Sequence, residues 1–291
     1  MNQQRVRFSI VIPCYNEALF IGRTLESLLN QSYNGVYEII VVDNNCSDDT
    51  AAIAKSYGVK VIGENRPGVC WARQAGSAVA SGEIIISTDA DTIYPANWLR
   101  NIDRRFRANK NYVAVGGPCH YNDGPWWGKL YPKLLFGAVA SGYRMTGRPF
   151  YITATNFAFK RAAWTGYNTK LTQGGDELEL LHSLKPKGSV VFDNTNPVLT
   201  SGRRLNKGLT YSLFVSFLLY YIGAYYLNRA FGRTIIGNAP AHRQNKQLKT
   251  RRAVLYRATL LVFLIAFIHL PGHDTFLQQS YETFATIRRK L

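Results

Sequence analysis

Two carboxylates, Asp89 and Asp91, stand one residue apart at the end of the apolar run "EIIISTDADTIYP". In extended backbone, residues two apart face the same side, so both can address one ligand. Like charges held that close repel unless a cation lies between them. The natural cation is a hard divalent ion, Mg2+ or Mn2+, which prefers oxygen ligands and completes its shell with phosphate oxygens. One Asp alone would read as the cap of a turn or helix; the pair reads as a metal–phosphate site. Glu17 and Asp43 follow two other apolar runs, "FSIVIP" and "YEIIVV", in the same way.

Those runs belong to an alternation. Phe8–Pro13, Tyr37–Val42, Val59–Ile62 and Glu83–Thr88 are short, nearly continuous apolar stretches, which predicts buried strands. Ala18–Gln31 carries Leu19, Ile21, Leu25, Leu28 and Leu29 at helical spacing. A second helix, capped by Ser47 or Asp48, runs to about Tyr57, and Val69–Ala80 and Asn97–Ala108 are two more. Buried strands alternating with helices predict an α/β fold with a mostly parallel sheet sandwiched by helices. Such a sheet binds ligands beyond the carboxyl ends of its strands, at a topological switch point. Glu17, Asp43, Asp89 and Asp91 all fall at that edge.

The 291 residues are 46% apolar with a net charge of +17, which suits anionic partners. From Arg203 to Leu291 there are 14 Lys/Arg against two acids, so the last third carries most of that charge. The expected organisation is a catalytic domain over 1–204 and a basic helical region over 205–291. Residues 209–228 are uncharged and Thr259–Leu270 is strongly apolar, with a basic, acid-free stretch between them. A full crossing by 209–228 would put that stretch outside, against the positive-inside rule. Helices lying in the inner interface or a re-entrant hairpin, held to an anionic membrane surface, are expected instead. Two true spans, or core helices of a soluble protein, are the alternatives. No signal peptide is read at the N-terminus, where "FSIVIP" is too short for an apolar signal core. Cys14, Cys46, Cys70 and Cys119 lack the spacing of a zinc site or disulfide framework and read as small buried hydrophobes. His120, His182 and His242 read as structural or exposed, although His182 lies near a pair of acids.

Four stretches, "SIVIPCYNEALFIGRTLESLLNQ", "EIIVVDNNCSDDT", "NRPGVCWARQAGSAVASGEIIISTDADT" and "TNFAFKRAAW", together resemble the family 2 glycosyltransferases of GT-A fold, over roughly Phe8 to Arg204. The resemblance implies a nucleotide-diphosphate sugar donor, a Mg2+ or Mn2+ cofactor and, mostly, inversion at the anomeric carbon. It further implies that Pro13, Tyr15 and Glu17 line the base and ribose and that Asp43 accepts a hydrogen bond from the base. Arg73 would meet the diphosphate, as the guanidinium fork suits phosphate oxygens. Asp89 would lie near ribose and metal, and Asp91 would bind the metal. Two positions depart from the family pattern: Asn44 replaces a second acid after Asp43, and Gln74 replaces the Asn after Arg73.

Inversion also needs a general base to take the acceptor's proton. "TQGGDELELLHSLK" offers Asp176 and Glu177 ahead of a leucine-rich helix. The family carries Glu-Asp there, with the second acid usually the base. Ungapped alignment favours Glu177; side-chain type and the Gly-Gly-Asp context favour Asp176. On residues alone the pair is equally a helix start decorated with acids. Trp126 and Trp127 read either as part of an acceptor platform or as core. By analogy, a membrane-attached sugar transferase meets a lipid-linked acceptor or a surface glycan, here at the cytoplasmic face of the membrane; a soluble cytoplasmic enzyme is the alternative. The Q-x-x-R-W motif of polymerising members is absent, which implies one transfer per encounter. Arg203 and Arg204 are candidates for holding a phosphate or touching lipid.

Other classes fit less well. A dinucleotide oxidoreductase needs G-x-G-x-x-G after the first strand, where this chain has "PCYNEALFIG". A nucleic-acid binder would explain the charge, but the basic residues cluster with apolar segments, so no nucleic acid is expected. A nucleotide binder without catalysis would have little reason to keep the whole set of acids and Arg73.

Overall fold

The computed structural model describes residues 5–169, 176–232 and 235–237. The first half follows the expected alternation: β1 (Phe8–Cys14), α1 (Ile21–Leu29), β2 (Tyr37–Asp43), α2 (Thr50–Ser56), β3 (Lys60–Gly63), α3 (Val69–Ala78) and β4 (Ile84–Ser87). β3, β2, β1 and β4 lie side by side and all run parallel. The Ile and Val side chains of β1, β2 and β4 are buried on both faces, as in Ile10, Val11 and Ile12 of β1, while those of the edge strand β3 are half-buried. α1 turns Ile21, Leu25 and Leu28 into the core. It starts later than the spacing predicts, because the carbonyl of Glu17 first takes the N–H groups of Phe20 and Ile21 in a turn. Leu19 therefore lies ahead of the helix and points outward. The helix α2 is capped neither at Ser47 nor at Asp48 but at Asp49, which makes no side-chain cap; Asp48, one residue earlier, accepts the Thr50 N–H at 3.1 Å.

The second half is less regular: β5 (Thr92–Ile93), α4 (Trp98–Ala108), β6 (Tyr112–Gly116), β7 (Cys119–Tyr121), α5 (Leu130–Thr146), β8 (Phe157–Lys160), α6 (Asp176–Leu184), β9 (Ser189–Phe192) and β10 (Val198–Thr200). The main sheet has seven strands in the order β3-β2-β1-β4-β8-β6-β9. α4 carries the chain from β4 to β6, one strand-place away, and β8 later fills the gap antiparallel to both neighbours. That reversal sets Phe157 opposite Ser87, so the residues just before β8 reach the same edge as Asp89. A small sheet, β5-β10-β7, sets Thr200 against Thr92, next to Asp91. Beyond it come a π-helix (Tyr211–Gly223) and α7 (Ala224–Ala230). Among the described residues no helix is long and apolar enough to cross a membrane. Thr259–Leu270 lies outside the described residues.

The position of α3 depends on one glycine. A Cβ at Gly76 would run into the buried side chains of Val11 on β1 and Val42 on β2. Alanine is the better helix former by about 1 kcal/mol, but overpacking a tight core costs about 1–3 kcal/mol. Gly76→Ala is therefore expected to lower stability by roughly 1 kcal/mol or more, read as a lower urea midpoint. A midpoint at or above the parent's would mean that α3 can lift off the sheet freely.

Candidate active site

β2 and β3 lie on one side of β1 and β4 on the other, so the strand order reverses between β1 and β4. Glu17, Asp89 and Asp91 come to that switch point, with Asp43 at the end of β2. The loops leaving β1 and β2 are pinned by Asn16 (φ 57°) and Asn45 (φ 66°), the non-glycine residues with positive φ among those described. Asn tolerates the left-handed region better than most side chains. Asn16 accepts the Ser47 N–H at 2.7 Å, and Asn45 donates to the carbonyls of Glu64 and Asn65. Asp43 turns one oxygen onto the Cys46 N–H at 2.9 Å. Pro13 is half-buried and Tyr15 exposed at the lip of the edge.

The departure at Asn44 has a structural cause. Its amide donates to the carbonyls of Glu64 (2.7 Å) and Arg66 (2.8 Å), and its oxygen accepts the Gly68 N–H (2.9 Å). A carboxylate has the acceptor but not the donors. Asn44→Asp should leave a buried charge facing two carbonyls and destabilise the protein by about 2–4 kcal/mol, measured by chemical unfolding, whereas Asp43→Asn should do far less.

Arg73, on α3, is 5% exposed. One terminal nitrogen lies 2.8 Å from Asp89 Oδ1 and the other 2.5 Å from Asp176 Oδ2. The second oxygen of Asp89 accepts the Thr155 hydroxyl at 2.5 Å. The resemblance assigns this guanidinium to the diphosphate; in the structure its fork is taken by two carboxylates from either side of the site. Burial opposes its charge, but Asp176 and Asp89 outweigh that and hold it above arginine's usual pKa. Burial likewise pushes the Asp176 carboxyl up, yet Arg73 prevails and keeps it below the usual range. Glu177 is also buried. Gln74 has a structural reason too: its carbonyl accepts the Tyr167 N–H at 2.8 Å, a backbone contact ahead of α6. His182 is exposed on α6.

The sequence marks the other cation only as a candidate phosphate or lipid contact. Arg203 follows β10, and its guanidinium lies 2.5 Å from Glu17 Oε1 and 3.0 Å from Asp91 Oδ2. It stacks over the Phe20 ring at 4.5 Å. Thr200 adds a hydroxyl to Asp91 Oδ1 at 3.3 Å. Neither Thr155 nor Thr200 stands out in the sequence. Thr155 directly precedes the Asn156 of "TNF", whose amide bonds the carbonyls of Pro118 and Asn196 and accepts the Trp98 indole N–H.

The donor set suits a hard divalent ion. Asp91 and Asp89 offer only oxygen. Glu17 Oε2 and Arg203 Nε are buried without a hydrogen-bond partner. Burial, and then the charge of Asp89, raise the Asp91 carboxyl to about 6 even with Arg203 beside it. Among the described residues no cluster of three His, Cys, Asp or Glu could cage a metal, so an ion here would draw its other ligands from phosphate and water. Because Asp91 titrates above an unfolded Asp (about 3.9), the native state holds the extra proton between those values. Stability then falls as pH rises through that window. Asp91→Asn should melt above the metal-free parent at pH 7.5, with the gap closing at pH 4; an equal or lower melting point at pH 7.5 would show that Arg203 already compensates Asp91.

The fold has counterparts among solved structures. The structure resembles that of mannosyltransferase PcManGT from Pyrobaculum calidifontis, solved with GDP-Man and Mn2+: the TM-score is 0.61 over 98% of this chain and 87% of that one, at 20% identity. The fold is thus of the GT-A type. Residues 9–166 match the family described as glycosyl transferase family 2, and the chain belongs to that family of enzymes. The uncharacterized glycosyltransferase Rv0539 of Mycobacterium tuberculosis is 40% identical over 181 residues, 60% of this chain and 76% of that protein. Glycosyltransferase GlyG of Streptococcus pneumoniae serotype 4 is 29% identical over 121 residues, 40% of each, so the chain matches less than half of GlyG's length.

Proposed function

We propose that the protein moves a sugar, with inversion, from a nucleotide-diphosphate donor to an acceptor hydroxyl or phosphate. The observation that carries this reading is the Arg73 bridge, which holds Asp89 and Asp176 on one guanidinium at the switch point. Pro13, Tyr15, Glu17 and Asp43 surround the nucleoside. Asp91 and Asp89 would hold Mg2+ or Mn2+, which when bound neutralises charge building on the leaving diphosphate. Arg203, beside Asp91, offers a further positive charge to phosphate oxygens.

Asp176 is the first choice for the base. Arg73 keeps it ionised and fixes it on the far side of Asp89, so at neutral pH it is ready to accept the acceptor's proton as the new bond forms. Glu177, buried beside it, is the second choice. The acceptor is proposed to be lipid-linked or a surface glycan, with the enzyme at the cytoplasmic face of a membrane. That part rests on the basic, apolar character of 205–291 and on analogy.

Calorimetry with UDP, GDP, dTDP and CDP, each with and without Mn2+, tests the donor assignment. One nucleotide should bind in a metal-dependent way, and Asp91→Asn should lose that dependence. Metal-independent binding unaffected by Asp91→Asn would remove the metal role. Asp176→Asn should lower kcat by about 100-fold or more; a larger loss in Glu177→Gln would transfer the base to that residue, and mild effects in both would reject the pair.

A further inference from the structure

Among the described residues, α5 is held to the body of the protein on one side only. Pro132, Phe136 and Val139 are buried. At 100° per residue, Leu130, Leu134, Ala138, Ser141 and Met145 fall on the opposite face. There Leu130 is 51%, Leu134 65% and Met145 86% exposed, and Trp126, in the turn just before the helix, is 83% exposed. A Cβ placed on Gly137, at the edge of this face, meets nothing within 4 Å. Large side chains gathered on one free helical face mark an interaction surface rather than the scatter normal for a protein exterior.

The charge around this face selects its partner. Lys133 and Arg144 flank it on the helix, Lys129 and Arg148 stand just before and just after the helix, all four are exposed, and among the described residues none of them enters an ion pair. Between Gly124 and Gly175 the chain has seven Lys/Arg and no acid. A second copy packed about a two-fold axis would bring like charges together. A nucleic acid would reward the cations but not Leu134 or Met145. Apolar side chains with a Trp, rimmed by Lys and Arg, match the boundary between anionic headgroups and acyl chains.

We infer that the outward face of α5, with Trp126, docks on an anionic lipid bilayer. This contact lies within the catalytic half of the chain and does not depend on residues 205–291 for its chemistry. It adjoins the site: a Cβ on Gly128, just ahead of α5, would meet Leu205, two residues from Arg203. The Asp123 carboxylate also accepts the Gly202 N–H. A bilayer against α5 therefore lies near the segment that touches Asp91, and an acceptor carried by lipid reaches the site without leaving the membrane.

The test uses the full chain with vesicles of phosphatidylcholine alone or mixed with phosphatidylglycerol, plus a brominated phosphatidylglycerol that quenches tryptophan only when it enters the acyl region. The chain should sediment with anionic vesicles, and bromine should quench its emission in a way that Trp126→Phe largely removes. Leu130→Glu/Leu134→Glu should lower vesicle affinity roughly tenfold, through lost apolar contact and added repulsion, with nucleotide binding and far-UV dichroism unchanged. The inference is overturned by failure to bind anionic vesicles, by bound protein without Trp126-dependent quenching, or by equal affinity of the double variant. It is also overturned if the double variant instead changes the oligomeric state in solution, which would make this face a protein contact. Nucleotide binding is measured separately and tests sugar transfer alone, so a failed lipid contact and a failed donor site give different results.

Discussion

One guanidinium holds the two sides of the active site together. Arg73 is buried, and a buried cation is costly unless paired; both its terminal nitrogens are paired, while its Nε has no hydrogen-bond partner. Its two partners come from distant parts of the chain: Asp89 from the end of β4 and Asp176 from the start of α6. Each is fixed by further contacts. Thr155 takes the second oxygen of Asp89, and the Tyr94 hydroxyl joins the Asp89 N–H to the Thr155 carbonyl. The amide of Asn156 ties that segment to Pro118 and Asn196. Gly76 lets α3 lie close enough to the sheet for Arg73 to reach both acids. Asp89 and Asp176 are thus parts of one charge network, and neither can move without disturbing the other.

The second cation behaves differently. Arg203 pairs with Glu17 and Asp91 from a segment beyond the last strand, and it does not bring Asp91 back to an ordinary carboxyl. Each arginine faces two acids, so each set carries one negative charge in excess, and at Asp91 the excess shows as a raised carboxyl. Local instability of this kind is a common property of binding sites, because the missing interaction is the one the ligand brings.

β1 to β4 and their helices are legible in the sequence because strands buried on both faces leave continuous apolar runs, bounded by Gly, Pro and caps. β5 to β10 are not. They are two to five residues long, and β8, "FAFK", pairs antiparallel through contacts set by the whole sheet rather than by its own pattern. The acids at strand ends are legible for the same reason as the strands. The Arg73–Asp176 pair is not, since 103 residues separate them and a guanidinium fits phosphate and carboxylate alike. Asn44 reads as a neutral departure because its two donors acquire meaning only once the loop at 64–68 lies beside it. Of the two readings of Trp126, core is ruled out by its exposure.

The charge of the chain now fits with an acidic site. A donor diphosphate is itself anionic, and Glu17, Asp43, Asp89 and Asp91 would repel it. The net +17 does not resolve this at a distance, because at physiological salt charges more than about 8 Å apart are largely screened. Neutralisation has to be local, and Arg73 and Arg203 are the cations in contact with those acids. Some peripheral cations answer carboxylates outside the site, as Arg66 does Glu64 and Arg105 does Asp193. Those around α5 have no carboxylate to answer among the described residues, and they flank apolar side chains that water does not reward. Arg73 and Arg203 answer part of the charge of the acids they touch; the cations around α5 are left to meet a surface.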